Sequence, residues 1–264
     1  MASGASLAVQ YLGAGPPLIL LNGYGATKDD WDPRFRDGLA AGSRVICPDN
    51  RGVGASPEAP PSLSVAAMAD DVLALMDARG IVTAALAGWS MGGFIAQQIA
   101  ARHPERVERL VLLATDPGGP GSVRASPEVE ARLRDHNGTP RERAMRLLRL
   151  LFPPAVAARM DARFGELVAA ARAALSIDAL RAQEAAVDRW HDDEGAGRLA
   201  AITAPALIAH GTEDVLIPFA NGELLAEGIP DSRLVAFEGC GHAFMAQEPA
   251  RAAELIGDFL ADSG

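Results

Sequence analysis

The feature that most constrains the fold is the pentapeptide Gly-Trp-Ser-Met-Gly at positions 88–92. A short apolar run, 84–87, precedes it, and a run suited to a helix, 94–101, follows it. A Gly-x-Ser-x-Gly sequence in this context is typical of a sharp turn that raises the serine hydroxyl above the carboxyl edge of a sheet. Its glycines lack the Cβ atoms that would collide in such a turn. The pattern predicts an accessible Ser90 in a strained conformation, against the alternative of a plain Gly/Ser turn.

Two backbone amides can be placed beside this serine. The amide of Met91 lies in the first turn of the predicted helix, where it can point at a developing oxyanion. A second glycine-rich segment, 22–25, follows the apolar run 18–21 and has the sequence Asn-Gly-Tyr-Gly. Such a loop can direct the Tyr24 amide at the same oxygen. The two segments therefore predict an oxyanion hole formed by Tyr24 and Met91, unless segment 22–25 is a simple turn.

Alternation of strands and helices predicts an α/β fold with a mostly parallel sheet covered by helices on both faces. Short continuous apolar runs are typical of strands buried on both faces. The runs that fit this description are 18–21, 45–47, 84–87, 107–113, 206–209 and 234–237. Segment 6–12 alternates weakly and is interpreted as an edge strand.

Two loops in the first half carry further expectations. Acidic residues at positions 29 and 30 are expected in the first turn of a helix, with Trp31 as its buried anchor. The segment 49–56 contains two glycines and an Asp49/Arg51 pair. We interpret it as a rigid, hydrogen-bonded turn with a structural role.

The alternating pattern is interrupted after position 116. A Gly/Pro-rich linker occupies 117–121, and positions 127–199 have helical spacing without a convincing strand. We therefore divide the chain into a first core part, 1–116, an inserted helical lid, 117–203, and a second core part, 204–264. Arginines recur every third position at 143, 146 and 149. A solvated helix face explains them better than a site for a substrate carboxylate.

A serine hydroxyl becomes a nucleophile only beside a base that is itself oriented by a carboxylate. The loops that follow parallel strands emerge at one edge of a sheet, so the residues just past each strand can converge there. Ser90, Asp214 and His242 all occupy such positions, in the order Ser, Asp, His. They are the predicted nucleophile, acid and base.

Other residues fit these roles less well. The remaining histidines lie at a helix end, in or near the predicted lid, or one residue before a glycine, and are His103, His136, His191 and His210. His210 is interpreted as a structural hydrogen-bonding residue. Asp116, past the strand that follows Ser90, is the reserve acid. The neighbouring Glu213 is expected to point to the wrong side of a tight turn, although the sequence does not exclude it.

Composition narrows the function classes. The chain has 264 residues, 49% of them hydrophobic, and a formal net charge of −10. That charge argues against nucleic acid or an anionic membrane as a partner and favours a small-molecule substrate. Nucleotide-binding glycine motifs and metal-ligand spacings are missing from the sequence, so no cofactor and no metal are predicted.

The expected location is the cytoplasm. The first ten residues do not resemble a signal peptide, and no stretch reaches the apolar length of a membrane span. The two cysteines, Cys47 and Cys240, are too few for a disulfide framework and fit a reducing compartment. The sequence leaves the oligomeric state open, including a homodimer.

Taken together, these motifs resemble the α/β-hydrolase superfamily over essentially the whole chain. The matching segments are 22–25, Trp31, 49–56, 88–92, 211–214 and 241–242. The resemblance implies an α/β-hydrolase fold with an inserted lid, Ser90 as nucleophile, His242 as base and Asp214 as acid. It also implies the Tyr24 and Met91 amides as oxyanion donors. Serine at position 90 separates the chain from haloalkane dehalogenases and epoxide hydrolases, whose nucleophile is Asp.

Finer resemblances point to several subgroups. Many superfamily members carry His where this chain has Asn22, and an Asn there is similar to 3-oxoadipate enol-lactonases. The Ser-Met-Gly-Gly sequence at 90–93 is shared with those lactonases, with arylesterases and with cofactor-free haloperoxidases. Prolyl aminopeptidases are less similar, because their Gly-Gly-Pro-Gly loop is absent. The leading hypothesis is a cofactor-free serine hydrolase of a small ester or lactone. The alternatives are a C–C bond hydrolase, a perhydrolase and a ligand receptor on the same fold.

Overall fold

The structure is a computed structural model that describes residues 6–194 and 197–262. Within these residues the strands form one seven-stranded sheet. The strands are β1 (Val9–Leu12), β2 (Pro17–Leu21), β3 (Arg44–Pro48), β4 (Ala84–Trp89), β5 (Val107–Leu113), β6 (Ala206–Gly211) and β7 (Ser232–Phe237). Their order across the sheet is β1-β3-β2-β4-β5-β6-β7.

The sheet is parallel except at one edge. Strand β1 pairs antiparallel with β3, and all other neighbouring pairs are parallel. Strand β4 lies at the centre, with three strands on either side. This arrangement confirms the α/β-hydrolase fold class predicted from the sequence. Because the strands of the parallel part run the same way, the loops at their carboxyl ends share one edge.

Helices cover the sheet and fill the insertion between β5 and β6. They are α1 (Pro33–Ala40), α2 (Val65–Ala78), α3 (Met91–Arg102), α4 (Pro127–Leu133), α5 (Pro140–Leu151), α6 (Pro154–Ala173), α7 (Ile177–Arg189), α8 (Ala220–Gly228), α9 (Phe244–Gln247) and α10 (Pro249–Ala261). Helices α4 to α7 lie between β5 and β6, where the described residues contain no strand. The domain limits 117–203 remain a prediction.

None of the helices in ranges 6–194 and 197–262 has the length and apolar character that a membrane crossing requires.

Alternate side chains of β2 enter two different cores, one on each face of the sheet, as the two-residue period of a strand requires. Ile19 and Leu21 belong to the core that also contains residues of α2 and α3. Leu18 and Leu20 belong to the other core, with residues of α1 and α10. All four side chains are completely buried. The continuous apolar run in the sequence follows directly from this burial on both faces.

The helix expected to begin at positions 29 and 30 begins later, at Pro33. Asp32 is the N-cap, and its carboxylate accepts a hydrogen bond from the Arg34 amide at 2.9 Å. Proline is favoured at the first helical position because it has no amide hydrogen to leave unpaired. Asp30 instead accepts a hydrogen bond from the Thr27 amide at 2.7 Å, which closes a turn ahead of the helix.

The loop 49–56 is hydrogen-bonded, as interpreted from the sequence, and the side chains of Asp49 and Arg51 bond to different partners rather than to each other. The Asp49 carboxylate accepts hydrogen bonds from the amides of Lys28, at 2.7 Å, and Ala55, at 3.1 Å. Arg51 forms its ion pair with Asp71 of α2, with Nε to Oδ2 at 2.8 Å. The carboxylate of Asp49 thus ties two loops together, whereas Arg51 ties its loop to a helix.

A large-to-small change in the core tests the two-faced burial of β2. Leu20→Ala is expected to lower the free energy of unfolding by about 2–5 kcal/mol, because it removes buried methyl groups and leaves a cavity. Urea denaturation followed by circular dichroism measures the change. The matched control is Leu167→Ala, since Leu167 lies on α6 with 70% of its surface exposed. Equal effects of the two substitutions would contradict the assigned packing.

Candidate active site

The turn that carries Ser90 has the geometry predicted from its glycines. Ser90 connects the end of β4 to α3 with φ 54° and ψ −122°, outside the regions favoured by residues with a side chain. Its amide donates a hydrogen bond to the Leu113 carbonyl at 2.9 Å. A Cβ atom on Gly88 would collide with the Gly92 carbonyl, and one on Gly92 with the Leu21 carbonyl. Glycine is therefore sterically required on both sides of the serine.

His242 and Asp214 form a buried pair at the ends of neighbouring strands. Nδ1 of His242 lies 2.7 Å from Oδ2 of Asp214, and the two residues are 3% and 6% exposed. The other carboxylate oxygen accepts hydrogen bonds from the amides of Leu216 and Ile217, both at 2.9 Å. Since a carboxylate accepts hydrogen bonds, we assign the proton to Nδ1 of His242, which leaves Nε2 as the basic nitrogen.

Several contacts keep the Asp214 carboxylate ionised. Burial alone would raise the pKa of Asp214, but the charge and hydrogen bonding of His242 and His210 outweigh it and lower the pKa to about 2. Nε2 of His210 lies 3.4 Å from Oδ2 of Asp214 and 2.8 Å from the Ile217 carbonyl. His210 thus has the structural hydrogen-bonding position interpreted from the sequence.

Ser90 and His242 line one cavity of about 540 Å³, together with Tyr24 and Met91. The Ser90 hydroxyl makes no hydrogen bond with His242 among the described residues. The Trp89 side chain lies beside both loops, because its Nε1 donates to the His242 carbonyl at 3.0 Å and its ring centroid is 5.5 Å from that of the imidazole. The serine and the base are brought to one cavity, in line with their predicted convergence.

The two residues predicted to supply the oxyanion amides, Tyr24 and Met91, also line this cavity. Met91 is the first residue of α3, and an amide at that position has no acceptor within its own helix. The loop of Tyr24 is close to the serine, since a Cβ atom built on Gly23 would lie 3.2 Å from Cβ of Ser90. Asn22 anchors this loop by donating from its side chain to the Pro48 carbonyl at 2.8 Å. The roles of Tyr24 and Met91 as oxyanion amide donors remain a prediction.

The inserted helices form hydrogen bonds with the glycine-rich loop that carries Tyr24. The Tyr24 hydroxyl donates to Glu184 of α7 at 2.5 Å, and the Gly25 amide donates to Gln183 at 2.9 Å. Burial and the contact with Glu184 raise the pKa of Tyr24, so its hydroxyl remains a donor. At the other side of the cavity the Leu151 carbonyl of α5 accepts a hydrogen bond from the Ala243 amide at 3.1 Å. The insertion therefore contacts the loops of both Tyr24 and His242.

The two other candidate acids are placed differently. Asp116 lines the cavity, but its Oδ2 lies 3.0 Å from Nε2 of His191 and its Oδ1 accepts from the Gly118 amide at 2.8 Å. Glu213 is exposed, as its expected orientation implies. Among the three carboxylates, the hydrogen bond to His242 is made by Asp214.

Sequence reasoning missed several polar residues of this cavity. His136, His191, Glu184 and Arg172 line it, and all of them belong to the insertion. The hydrogen bonds of Tyr24 with Glu184 and of Asp116 with His191 join residues 160 and 75 positions apart. The helical composition of the insertion carries no signal for such pairings.

A sheet of this order, with a serine turn at its centre and a cavity at the carboxyl ends of its strands, defines an α/β protein of the hydrolase class. The chain belongs to the α/β-hydrolase fold family, because residues 16–249 match the family described as alpha/beta hydrolase fold. This match confirms the resemblance found in the sequence motifs.

Relatives and solved structures cover nearly the whole chain. A pimeloyl-[acyl-carrier protein] methyl ester esterase of Aromatoleum aromaticum is 33% identical, with 93% of this chain and 98% of the relative covered. A 2-hydroxymuconate semialdehyde hydrolase of Pseudomonas sp. strain CF600 is 31% identical, with coverages of 100% and 93%. The crystal structure of an enol-lactonase from Burkholderia xenovorans LB400 superposes with a TM-score of 0.84 at 26% identity, covering 98% of each chain.

The low pKa of Asp214 predicts how its contribution to stability depends on pH. Its pKa falls from 3.8 in its ordinary state to about 2 in the folded protein, so the stabilisation is present above pH 3.8 and is lost as the pH falls toward 2. A shift of this size corresponds to about 2 kcal/mol. The difference in free energy of unfolding between the wild type and Asp214→Asn should therefore shrink by about that amount over this pH range.

Urea denaturation of both proteins at a series of pH values measures this difference. A difference that stays constant, or that grows as the pH falls, would contradict the assigned ionisation.

Proposed function

We propose that the protein is a serine hydrolase that cleaves a small carboxylic ester or lactone through an acyl-enzyme. In this proposal Ser90 is the nucleophile, His242 the general base and Asp214 the acid that orients it. The observation that carries the proposal is the buried Asp214–His242 hydrogen bond at the cavity onto which the strained Ser90 opens. Two amides beside the serine, of Tyr24 and Met91, would stabilise the oxyanion.

The first half of the reaction follows from these positions. Nε2 of His242 takes the proton of the Ser90 hydroxyl while its oxygen attacks the carbonyl carbon of the substrate. The carbonyl oxygen becomes an oxyanion and accepts hydrogen bonds from the amides of Tyr24 and Met91. When the intermediate collapses, the bond to the alcohol oxygen breaks, and the protonated His242 returns its proton to that oxygen. Asp214 stabilises the imidazolium while it exists.

The second half releases the acid. His242 removes a proton from a water molecule, whose oxygen attacks the acyl carbon. The bond between this carbon and the Ser90 oxygen then breaks, and His242 returns the proton to the Ser90 oxygen. A lactone would follow the same steps, with its alcohol oxygen remaining tethered to the acyl group. No cofactor enters either half-reaction.

The size and lining of the cavity support a small substrate. Its volume of about 540 Å³ lies within the range of small-molecule sites. The insertion contributes apolar side chains such as Leu148, Phe152 and Leu180, and these apolar side chains outnumber its polar ones. Names of two relatives, a methyl ester esterase and an enol-lactonase, refer to reactions of this kind and lend further support.

Removal of the nucleophile is the direct test of the proposal. Ser90→Ala is expected to abolish turnover of p-nitrophenyl esters of rising chain length and of a lactone panel, because the acyl-enzyme can no longer form. Circular dichroism checks that the variant is folded. Ser62→Ala, in an exposed turn, is the matched control and should retain full activity. The proposal fails if folded Ser90→Ala keeps near wild-type esterase activity.

The same panel can include a β-dione and an ester with hydrogen peroxide, which report on C–C bond hydrolysis and on perhydrolysis.

The choice of acid is tested by comparing two isosteric substitutions. Asp214→Asn should lower kcat by about 10⁴-fold, as loss of the oriented imidazole does in a Ser-His-Asp triad. Asp116→Asn should retain most activity, because the Asp116 carboxylate contacts His191 rather than His242. Steady-state kinetics on one ester measures both. A crippling effect of Asp116→Asn with an active Asp214→Asn would reverse the assignment.

A further inference from the structure

Arg172 on α6 is a buried charge with unsatisfied donors. Its side chain is only 14% exposed and lines the cavity. Among the described residues its guanidinium donates no hydrogen bond, and its carboxylate contact is Asp30, with Nη2 to Oδ2 at 3.7 Å. Nε is completely enclosed and unpartnered. A guanidinium carries five N–H donors, and burying them unpaired is costly.

Asp30 does not fully neutralise this group. Its Oδ2 atom, the one nearest Arg172, already accepts hydrogen bonds from the Thr27 amide at 2.7 Å and the Thr27 hydroxyl at 3.0 Å. Burial lowers the pKa of Arg172, but a guanidinium starts so high that it remains charged at neutral pH. The positively charged guanidinium of Arg172 therefore lies in the cavity wall with N–H donors that make no hydrogen bond within the described residues.

Arg172 lies beside the loop that carries the proposed oxyanion amide. Its Nη1 atom is 3.3 Å from the position that a Cβ atom on Gly25 would occupy, next to Tyr24. An anion bound by this guanidinium would share the cavity with the reacting carbonyl group, on the side of the glycine-rich loop.

Other arginines that border the cavity already have partners. Arg134 binds Asp188 through two hydrogen bonds, at 2.9 and 2.5 Å. Arg146 donates to the carbonyls of Asp135, at 2.6 Å, and Asn137, at 2.8 Å. Because their donors are engaged within the protein, these residues are poor candidates for a ligand. Arg172 differs from these two arginines because its charge lies beside the loop of Tyr24 and its guanidinium donates no hydrogen bond among the described residues.

We propose that Arg172 binds a carboxylate group of the substrate, so that the enzyme prefers an ester or lactone that carries a second, ionised carboxyl group. The planar fork of a guanidinium matches a carboxylate through two parallel hydrogen bonds, and the enclosed site strengthens them. The rest of the cavity is largely apolar and would contact the carbon chain between the two carboxyl groups. This inference rests on the proposed function and adds a substrate class to it.

The test measures binding in Ser90→Ala protein, so that turnover does not interfere. Isothermal titration calorimetry compares the monomethyl esters of succinate, glutarate and adipate, which are anionic, with the neutral dimethyl esters. At least one monomethyl ester should bind at least tenfold more tightly than its dimethyl counterpart. Adding Arg172→Met should weaken the binding of that monoester by about 10- to 100-fold, the value of a charge-assisted hydrogen-bonded pair. Affinity for the dimethyl ester should stay within about twofold.

A matched control is Arg132→Met, which removes the same charge from the cavity border where the side chain is 40% exposed. This variant should bind the monoester like its parent. Arg172→Lys keeps the charge but not the fork and should recover part of the lost affinity. If Arg172→Met fails to fold, the preference of the parent for the anionic ester and the Arg172→Lys measurement still decide the question.

The proposal is overturned if no monoester binds more tightly than its neutral counterpart, or if Arg172→Met and Arg132→Met behave alike. The proposed function has a separate readout, the loss of turnover of neutral p-nitrophenyl esters in Ser90→Ala. An enzyme that hydrolyses these esters without any carboxylate preference would contradict the role of Arg172 alone. Selective carboxylate binding without Ser90-dependent hydrolysis would contradict the proposed reaction alone.

Discussion

The site depends above all on a steric constraint, the close approach of backbone to backbone around Ser90. The turn between β4 and α3 is tight enough that a Cβ atom on Gly88 or Gly92 would collide with a carbonyl group. Gly93 is equally confined, by the Thr115 side chain. Because β4 is the central strand, this turn puts Ser90 in the middle of the sheet edge, within reach of the loops on either side. A side chain at any of these glycines would displace the serine from that place.

Near this turn lies the buried pair of Asp214 and His242. The cost of removing the Asp214 carboxylate from water is compensated by its hydrogen bonds. The Asp214 carboxylate is removed from water, which by itself favours its neutral form. The charge and hydrogen bonding of His242 and His210 reverse that preference, so a negative charge is maintained behind His242. Two backbone amides, of Leu216 and Ile217, hold the other carboxylate oxygen. The amides belong to the chain segment immediately after Asp214, and their orientation costs no rearrangement when the charge on His242 changes. Such preorganised dipoles are the means by which an enclosed site stabilises developing charge.

The inserted helices contribute both shape and polarity. They close the cavity with apolar side chains, yet they also reach the glycine-rich loop through Glu184 and Gln183 and place Arg172 beside it. A change in the insertion could therefore alter the position of the Tyr24 amide as well as the fit of a substrate. In the proposed reaction, the core of the fold would supply the reacting groups, whereas the insertion would supply the cavity wall that contacts the substrate.

The order of elements, the parallel sheet and the serine turn followed from the sequence, because they depend on local patterns. Continuous apolar runs reflect strands buried on both faces, and the glycines of segment 88–92 reflect contacts within a few residues of Ser90. Asp214 and His242 were found as candidates from their positions after β6 and β7. Only the tertiary structure decided the contacts between distant residues, such as Asp116 with His191 and Tyr24 with Glu184. It also decided the position of Arg172, whose buried Nε has no hydrogen-bond partner among the described residues. A helical segment composed mainly of Ala, Leu and Arg has the same local sequence pattern whichever of its faces packs against the cavity. The partners of its polar side chains are therefore determined by tertiary packing and not by the local sequence.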